Sequence, residues 1–292
     1  MALNLDAIGT VGEPVERTWS SRDTLLYAVA VGAGQPDPLA ELPFTTENSR
    51  GIDQQVLPTF GVLVGGAGAG VLRSIGSFDP AMLVHAEQSI ELLAPLPPDG
   101  KVVVGGSLVD IADKRSGALV VVEGTGADAA TGAPVLRTRA GFFIRGEGGF
   151  AADAGPSGTS PTPSAPSLPE REPDHAVTYP TLPHQALLYR LCGDRNPLHS
   201  DPAFAAAAGF DRPILHGLCT YGFTGRALLH TLCGSDPARF RSMAGRFTRP
   251  VLPGQALTVQ MWLDEADGGA SFRTVTDDGT VVVDRGRCAF AT

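Results

Sequence analysis

Polar and apolar positions follow two different rhythms along this chain. Over 101–113, 118–124 and 134–145, and again over 256–264, 270–276 and 280–292, apolar residues alternate with polar ones or gather into β-branched runs. Asp-Gly and Thr-Gly steps divide these runs, which predicts strands joined as antiparallel hairpins and not as parallel βαβ units. From Leu215 onward the rhythm changes. Leu218, Tyr221, Phe223, Leu228, Leu229 and Leu232 approximate a helical period, with small Gly222, Gly225 and Ala227 among them, so a buried helix is expected over 215–232. An antiparallel sheet with an apolar face must bury that face on something. This helix offers the surface, and the result is an α+β architecture in which a sheet wraps one long helix.

The same order of signals occurs twice. YAVAVG, ending at Gly32, precedes a loop as YRLCG, ending at Gly193, does. LAPLPPDGKVVV likewise parallels TRPVLPGQALTV, and TGAPVLRTRAGFF parallels DGTVVVDRGRCAF. Two copies of one fold are therefore expected. Between them, residues 146–173 are dense in Gly, Pro, Ser and Ala, the composition of a connector. The predicted organisation is a half over 1–145, a linker over 146–173 and a half over 174–292, with the linker letting the two sheets pair side by side. The halves are unequal: after GAGQPDPLAEL the first runs through PFTTENSRGIDQQVLPTF, too polar and interrupted for a long apolar helix.

Composition narrows the function. The formal charge of -9 and the lack of a basic stripe exclude nucleic acid as a partner. No apolar run approaches the ~18 residues of a membrane span. The N-terminus MALNLDAIGTVGEPVERTW has neither the basic start nor the apolar core of a signal peptide, and the terminal AFAT is no peroxisomal address; a cytoplasmic protein is expected. Cys192, Cys219, Cys233 and Cys288 form no C-x-x-C pair and lie at no zinc-finger spacing. They read as packing residues, and no metal is expected. A thiol nucleophile at Cys192 or Cys219, with His199 or His216 as base, is the weaker alternative.

The chemistry concentrates in YRLCGDRNPLHSDPAFAAAAGFDRPILHGLCTYGFTGR, residues 189–226. Asp194 and His199 lie five apart across Pro197, close enough in a tight loop to face one reacting centre and move protons on either side of it. Asn196 does not titrate but can donate and accept, which suits it to orient a water or a substrate oxygen. Asp201 and Pro202 read as the cap and first position of a short helix that Gly209 closes. Gly217 falls in the first turn of the long helix, where a missing side chain lets a carbonyl oxygen approach a free backbone N–H. An oxygen gaining negative charge would be stabilised there. His216 reads as a helix-start or packing residue.

This segment resembles the hydratase 2 motif of the MaoC-like dehydratases, the (R)-specific enoyl-CoA hydratases, and is especially similar to the hydratase module of the peroxisomal type 2 multifunctional enzymes. The likeness is carried by GDRNPLHSDP and AGFDRPILHGLCTYGF, and more weakly by VLPTFGVLVG, FDPAMLVHAEQSIELLAPLPPDGKV and GRFTRPVLPGQALTVQMW. It implies a double hot-dog fold, two antiparallel sheets each wrapped on a helix with the N-terminal helix reduced, and a homodimer. It further implies that Asp194 and His199 form the catalytic pair, that Asn196 helps hold the water or substrate, and that the Gly217 N–H binds a thioester oxygen. The substrate would be a coenzyme A or acyl-carrier-protein thioester, with no other cofactor. The first half lacks the pair, and its shortened helix is expected to leave space between the halves for the acyl tail; the alternative is that the polar stretch is a surface loop with no bearing on chain length. A hot-dog thioesterase and a noncatalytic thioester-binding subunit are the alternatives.

Three further stretches carry weaker signals. GVLVGGAGAGVL lacks the register of a nucleotide loop and reads as a helix-to-strand passage with close backbone packing. His85, Glu87 and Gln88 resemble a recurring family element but begin a predicted strand, and are read as structural. Arg246 and Arg249 are candidates for the phosphates of coenzyme A, with surface solvation as the alternative reading.

Overall fold

The computed structural model describes residues 3–66, 69–150, 168–264 and 268–291. The middle of the predicted linker, 151–167, lies outside the described residues. Ten strands run β1 Val15–Trp19, β2 Leu83–Leu92, β3 Gly100–Asp113, β4 Gly117–Asp128, β5 Pro134–Arg145, β6 His175–Pro180, β7 Phe240–Phe247, β8 Ala256–Asp264, β9 Gly269–Thr276 and β10 Val281–Phe290. Helices are α1 Ser21–Ala30, α2 Leu42–Thr45, α3 Gly61–Val64, α4 Ala69–Arg73, α5 Gln185–Tyr189, α6 Pro202–Ala207 and α7 Gly217–Leu232. Every pairing is antiparallel, as the turn-divided runs predict.

The strands form one sheet in the order β1-β3-β4-β5-β2-β7-β10-β9-β8-β6. Each half supplies five, and the halves join where β2 pairs with β7, from Glu87 opposite Arg246 to Glu91 opposite Ser242. This is the side-by-side double hot-dog. Joining two inner edges removes two rows of unpaired N–H and C=O groups, the liability of any open strand.

α7 forms because its apolar residues have somewhere to go on every side. From Cys219 to Leu229 it is buried throughout, against β6, β7, β8 and β10 and against the first half. Gly222 and Gly225 set that approach. A side chain at Gly222 would collide with Val31 and Tyr27 of the α1 region, and one at Gly225 with Thr59. The first half has no equivalent helix; α2 and α3 are single turns, as the polar stretch predicts. The stretch nevertheless fills its space, since Phe44, Val56, Leu57 and Phe60 are buried in the main core. At α3, Gly61 and Gly65 let backbone sit against Ile90 and Leu136, the close packing expected of the glycine-rich passage. Among the described residues no helix is long and apolar enough to cross a membrane.

A buried ion pair ties α7 to the first half. Arg226 on α7 meets Glu41 through two bonds, Nε at 2.7 Å and Nη2 at 2.6 Å, and lies 3.9 Å over the ring of Tyr179. Glu41 also accepts from the Gly34 N–H and pairs with His230 at 2.6 Å. Burial raises the Glu41 carboxyl, but the bonds to His230 and Arg226 outweigh it and bring it from an ordinary 4.5 down to about 2. Its contribution to stability is thus complete above pH 4.5 and lost as pH falls toward 2. Glu41→Ala strands a buried guanidinium and should cost about 3–5 kcal/mol in urea unfolding, with a flatter acid limb of stability than the parent. A cost near zero contradicts the account.

Candidate active site

The loop after α5 is shaped by its own polar side chains. Gly193 takes a φ of +124°, which turns the chain out of the preceding helical turn. The Asp194 carboxylate then accepts the Asn196 N–H at 3.1 Å, and the Asn196 Oδ1 accepts the Leu198 N–H at 3.0 Å. A turn over Pro197–His199 follows, and Asp201 caps α6 through the Ala203 N–H at 2.8 Å. Two successive side-chain turns leave the loop little freedom. Asn196 serves as a turn former, with its NH2 group as the end left to donate to a bound molecule.

His199 is buried to 9% exposure. Its Nδ1 lies 2.9 Å from the Ile214 carbonyl, which can only accept, so Nδ1 carries the proton and Nε2 is the basic nitrogen. Burial depresses its pKa from 6.5, opposed by the Ile214 bond and by Asp194, so neutral imidazole prevails at neutral pH. His216, the residue before α7, stacks on His199 with centroids 3.7 Å apart and planes 28° apart, and touches Tyr189 at 4.9 Å. Its Nε2 donates to the Asp194 carbonyl at 3.2 Å, and its Nδ1 is buried without a partner. Burial and the adjacent His199 push it down to about 4. His216 thus stands at the start of α7 and packs on the loop that carries Asp194 and His199.

One side-chain atom from each of Asp194, His199 and His216 lies within 4.8 Å of the others. That span suits a single water making two bonds of about 2.8 Å, one to the carboxylate and one to an imidazole. It suits a metal ion less well. Lone pairs of imidazole lie in the ring plane, and two stacked rings send theirs along parallel lines instead of to a common point.

Asp194 and His199 open onto a cavity of about 300 Å³ between the two halves; His216 lies behind them. The second half supplies Asp194, Asn196, His199, Gly217, Phe247 and Arg249; the first supplies Leu83, Val84, His85, Phe142 and Arg145. Gly217 is the first residue of α7, so its N–H has no carbonyl four residues back and meets the positive end of the helix dipole. A larger hollow of about 690 Å³ lies at the other end of the seam strands among Ser89, Arg137, Arg241 and Arg287, and none of the acid–base residues borders it.

Of the two arginines proposed from sequence, only Arg249 borders the cavity. Arg246 does not: Phe247 points inward, so its neighbour on β7 points to the other face, where it pairs with Glu87 at 3.7 Å across the seam. Reading the sequence missed Arg145, Phe142 and Phe247, which sit on strands of both halves far from the motif, and His85, read as structural, also borders the cavity. The cysteines fit packing roles. Cys219 is fully buried and donates to the Ala30 carbonyl, and burial pushes the Cys192 thiol up to about 12.

The family profile described as MFE-2 hydratase 2 N-terminal domain matches residues 18–146, and that described as MaoC like domain matches 164–284. The chain is 48% identical to 3-hydroxyacyl-thioester dehydratase Y of Mycobacterium tuberculosis, across 96% of this chain and 98% of that protein. It is 39% identical to the peroxisomal enoyl-CoA hydratase 2 of Arabidopsis thaliana, across 85% and 82%. Its structure superposes on the MaoC-like dehydratase of Phytophthora capsici with a TM-score of 0.86 at 34% identity, covering 99% and 98% of the two chains.

The nearest atoms to a methyl added at Gly217 would be those of the Phe247 ring, at 3.5–3.6 Å, an ordinary contact. Gly217→Ala should therefore keep its melting temperature, Ala being the better helix former by about 1 kcal/mol. It should lose at least about tenfold in rate, because the methyl stands between Phe247 and the helix tip. Unchanged turnover contradicts a role for that tip.

Proposed function

Because the chain belongs to the MaoC-like dehydratases of the hydratase 2 type, we propose that it hydrates trans-2-enoyl-CoA to (3R)-3-hydroxyacyl-CoA, or runs the reverse dehydration, in fatty acid metabolism. The observation that carries this reading is the pairing of a carboxylate and a neutral imidazole within one water's span, in a cleft whose wall includes the tip of a buried helix. A conjugated thioester needs water oxygen at C3 and a proton at C2, and between these events charge gathers on the thioester oxygen.

In this mechanism the Gly217 N–H holds that oxygen and stabilises the enolate as it forms. Asp194 and His199 share the water and remove one proton as its oxygen bonds to C3. The pair returns one proton to C2, so over a turnover both residues regain their starting states. Asn196 holds the water, and the stack of His216 keeps the His199 ring in place. The chemistry involves no net oxidation, and thioester and water are its only reactants.

Arg249 and Arg145, one from each half, border the cleft and suit the coenzyme A phosphates. The first half accommodates the acyl tail through the walls it contributes on β2 and β5. A homodimer and a cytoplasmic location complete the proposal, the first to be checked by sedimentation.

The deciding assay is hydration of a short trans-2-enoyl-CoA by the purified chain, with chiral analysis of the product. The (3R) alcohol is expected; release of free coenzyme A thiol would mark a thioesterase instead, and no turnover a binding subunit. Asp194→Asn and His199→Gln should each lower kcat by two to four orders of magnitude, roughly the worth of a positioned acid or base. Thioester affinity should stay within about threefold of the parent, since Asp→Asn is isosteric and Gln keeps a polar group of similar reach in place of the imidazole. Near-normal turnover in either variant rules out the pair.

A further inference from the structure

The noncatalytic half places one polar side chain in the reaction cleft. On β2, Gln88, Ile90 and Leu92 are buried toward the helices, and strict alternation would then turn His85 outward. A bulge intervenes. His85 pairs with Phe142 and Glu87 with Gly141, so Ala86 is the extra residue and the parity reverses. His85 thereby borders the cavity that Asp194, His199 and Gly217 share. Bulges beside active sites commonly re-aim a side chain in this way.

The ring is held on three sides. It lies 4.8 Å from the Phe142 ring, meets Phe247 edge to face at 5.3 Å, and its Nε2 donates to the Glu87 carbonyl at 3.0 Å. Phe247 in turn is the ring that faces the open side of Gly217. His85 is therefore one aromatic ring away from the helix tip, on the opposite wall. Burial pushes it down to about 4, so the wall is uncharged at neutral pH.

This inference rests on the thioester reading above. With the thioester oxygen at Gly217 and C3 at the Asp194 and His199 pair, the carbons beyond C3 leave the second half and meet the wall of the first. We propose that His85 is a specificity-determining residue, a fixed imidazole wall that admits straight acyl groups and excludes those branched on the carbon next to C3. Its contacts with Phe142 and Phe247 and its bond to the Glu87 carbonyl oppose movement of the ring to make way for a branch.

The test uses two unreactive ligands, a straight saturated acyl-CoA and its isomer with a methyl on the carbon next to C3, titrated calorimetrically into the full chain. The parent should prefer the straight ligand about tenfold, the usual worth of a misplaced methyl in an apolar pocket. His85→Ala should reduce that preference to about twofold or less, and His85→Phe should retain it. His85→Val, suited to a strand, replaces the alanine variant where circular dichroism shows the latter unfolded. A folded trimmed variant that discriminates like the parent, or one that loses affinity equally for both ligands, overturns the role of His85 and leaves the hydratase reading standing. Failure of the parent to bind either thioester overturns both.

Discussion

Helix α7 must satisfy two opposed demands. Its body has to be apolar on all sides, because the second sheet wraps it and the first half packs over it without a long helix of its own. Its first turn has to leave the Gly217 N–H open to the cleft, as the proposed chemistry requires. Burying the body fixes the tip, which makes the tip effective: a donor that need not reorganise stabilises developing charge more than a mobile one. Gly222 and Gly225 serve the first demand and Gly217 the second, so one residue type is used for close packing along the helix and for access at its end.

The same economy governs the polar groups. Arg226 is buried deep in the apolar core because Glu41, His230 and the Tyr179 ring surround it, and through Glu41 α7 is tied to the opposite half. His216 joins helix to loop, touching His199 face to face and the Asp194 carbonyl edge on. Neither group need enter the reaction for the reaction to depend on it. Together they tie the positions of Asp194 and His199 to the packing of the core.

Much of this was legible in the chain. The turn-divided runs marked the later strands of each half to within a few residues, and the apolar period located α7 to within two. The loop was readable because its polar residues bond to neighbours two or three positions away, a local affair. What could not be read depends on distant parts of the chain. The polar stretch before Pro58 ruled out a long helix but gave no sign that Phe44 and Phe60 would close the core. Arg246 and Arg249 differ in position through the alternation and end of a strand. His85 was read as structural because it begins a strand; nothing local announces the bulge by which one extra residue turns it to the cleft face of the sheet.

The central claim is that the acid–base pair and the helix tip act on opposite ends of one conjugated acyl group. A crystal structure with a bound (3R)-3-hydroxyacyl-CoA tests it most directly. The thioester oxygen should lie within about 3 Å of the Gly217 nitrogen, with the 3-hydroxyl between the Asp194 carboxylate and the His199 imidazole. A ligand whose thioester oxygen faces away from Gly217, or whose hydroxyl lies beyond reach of both residues, would contradict the account.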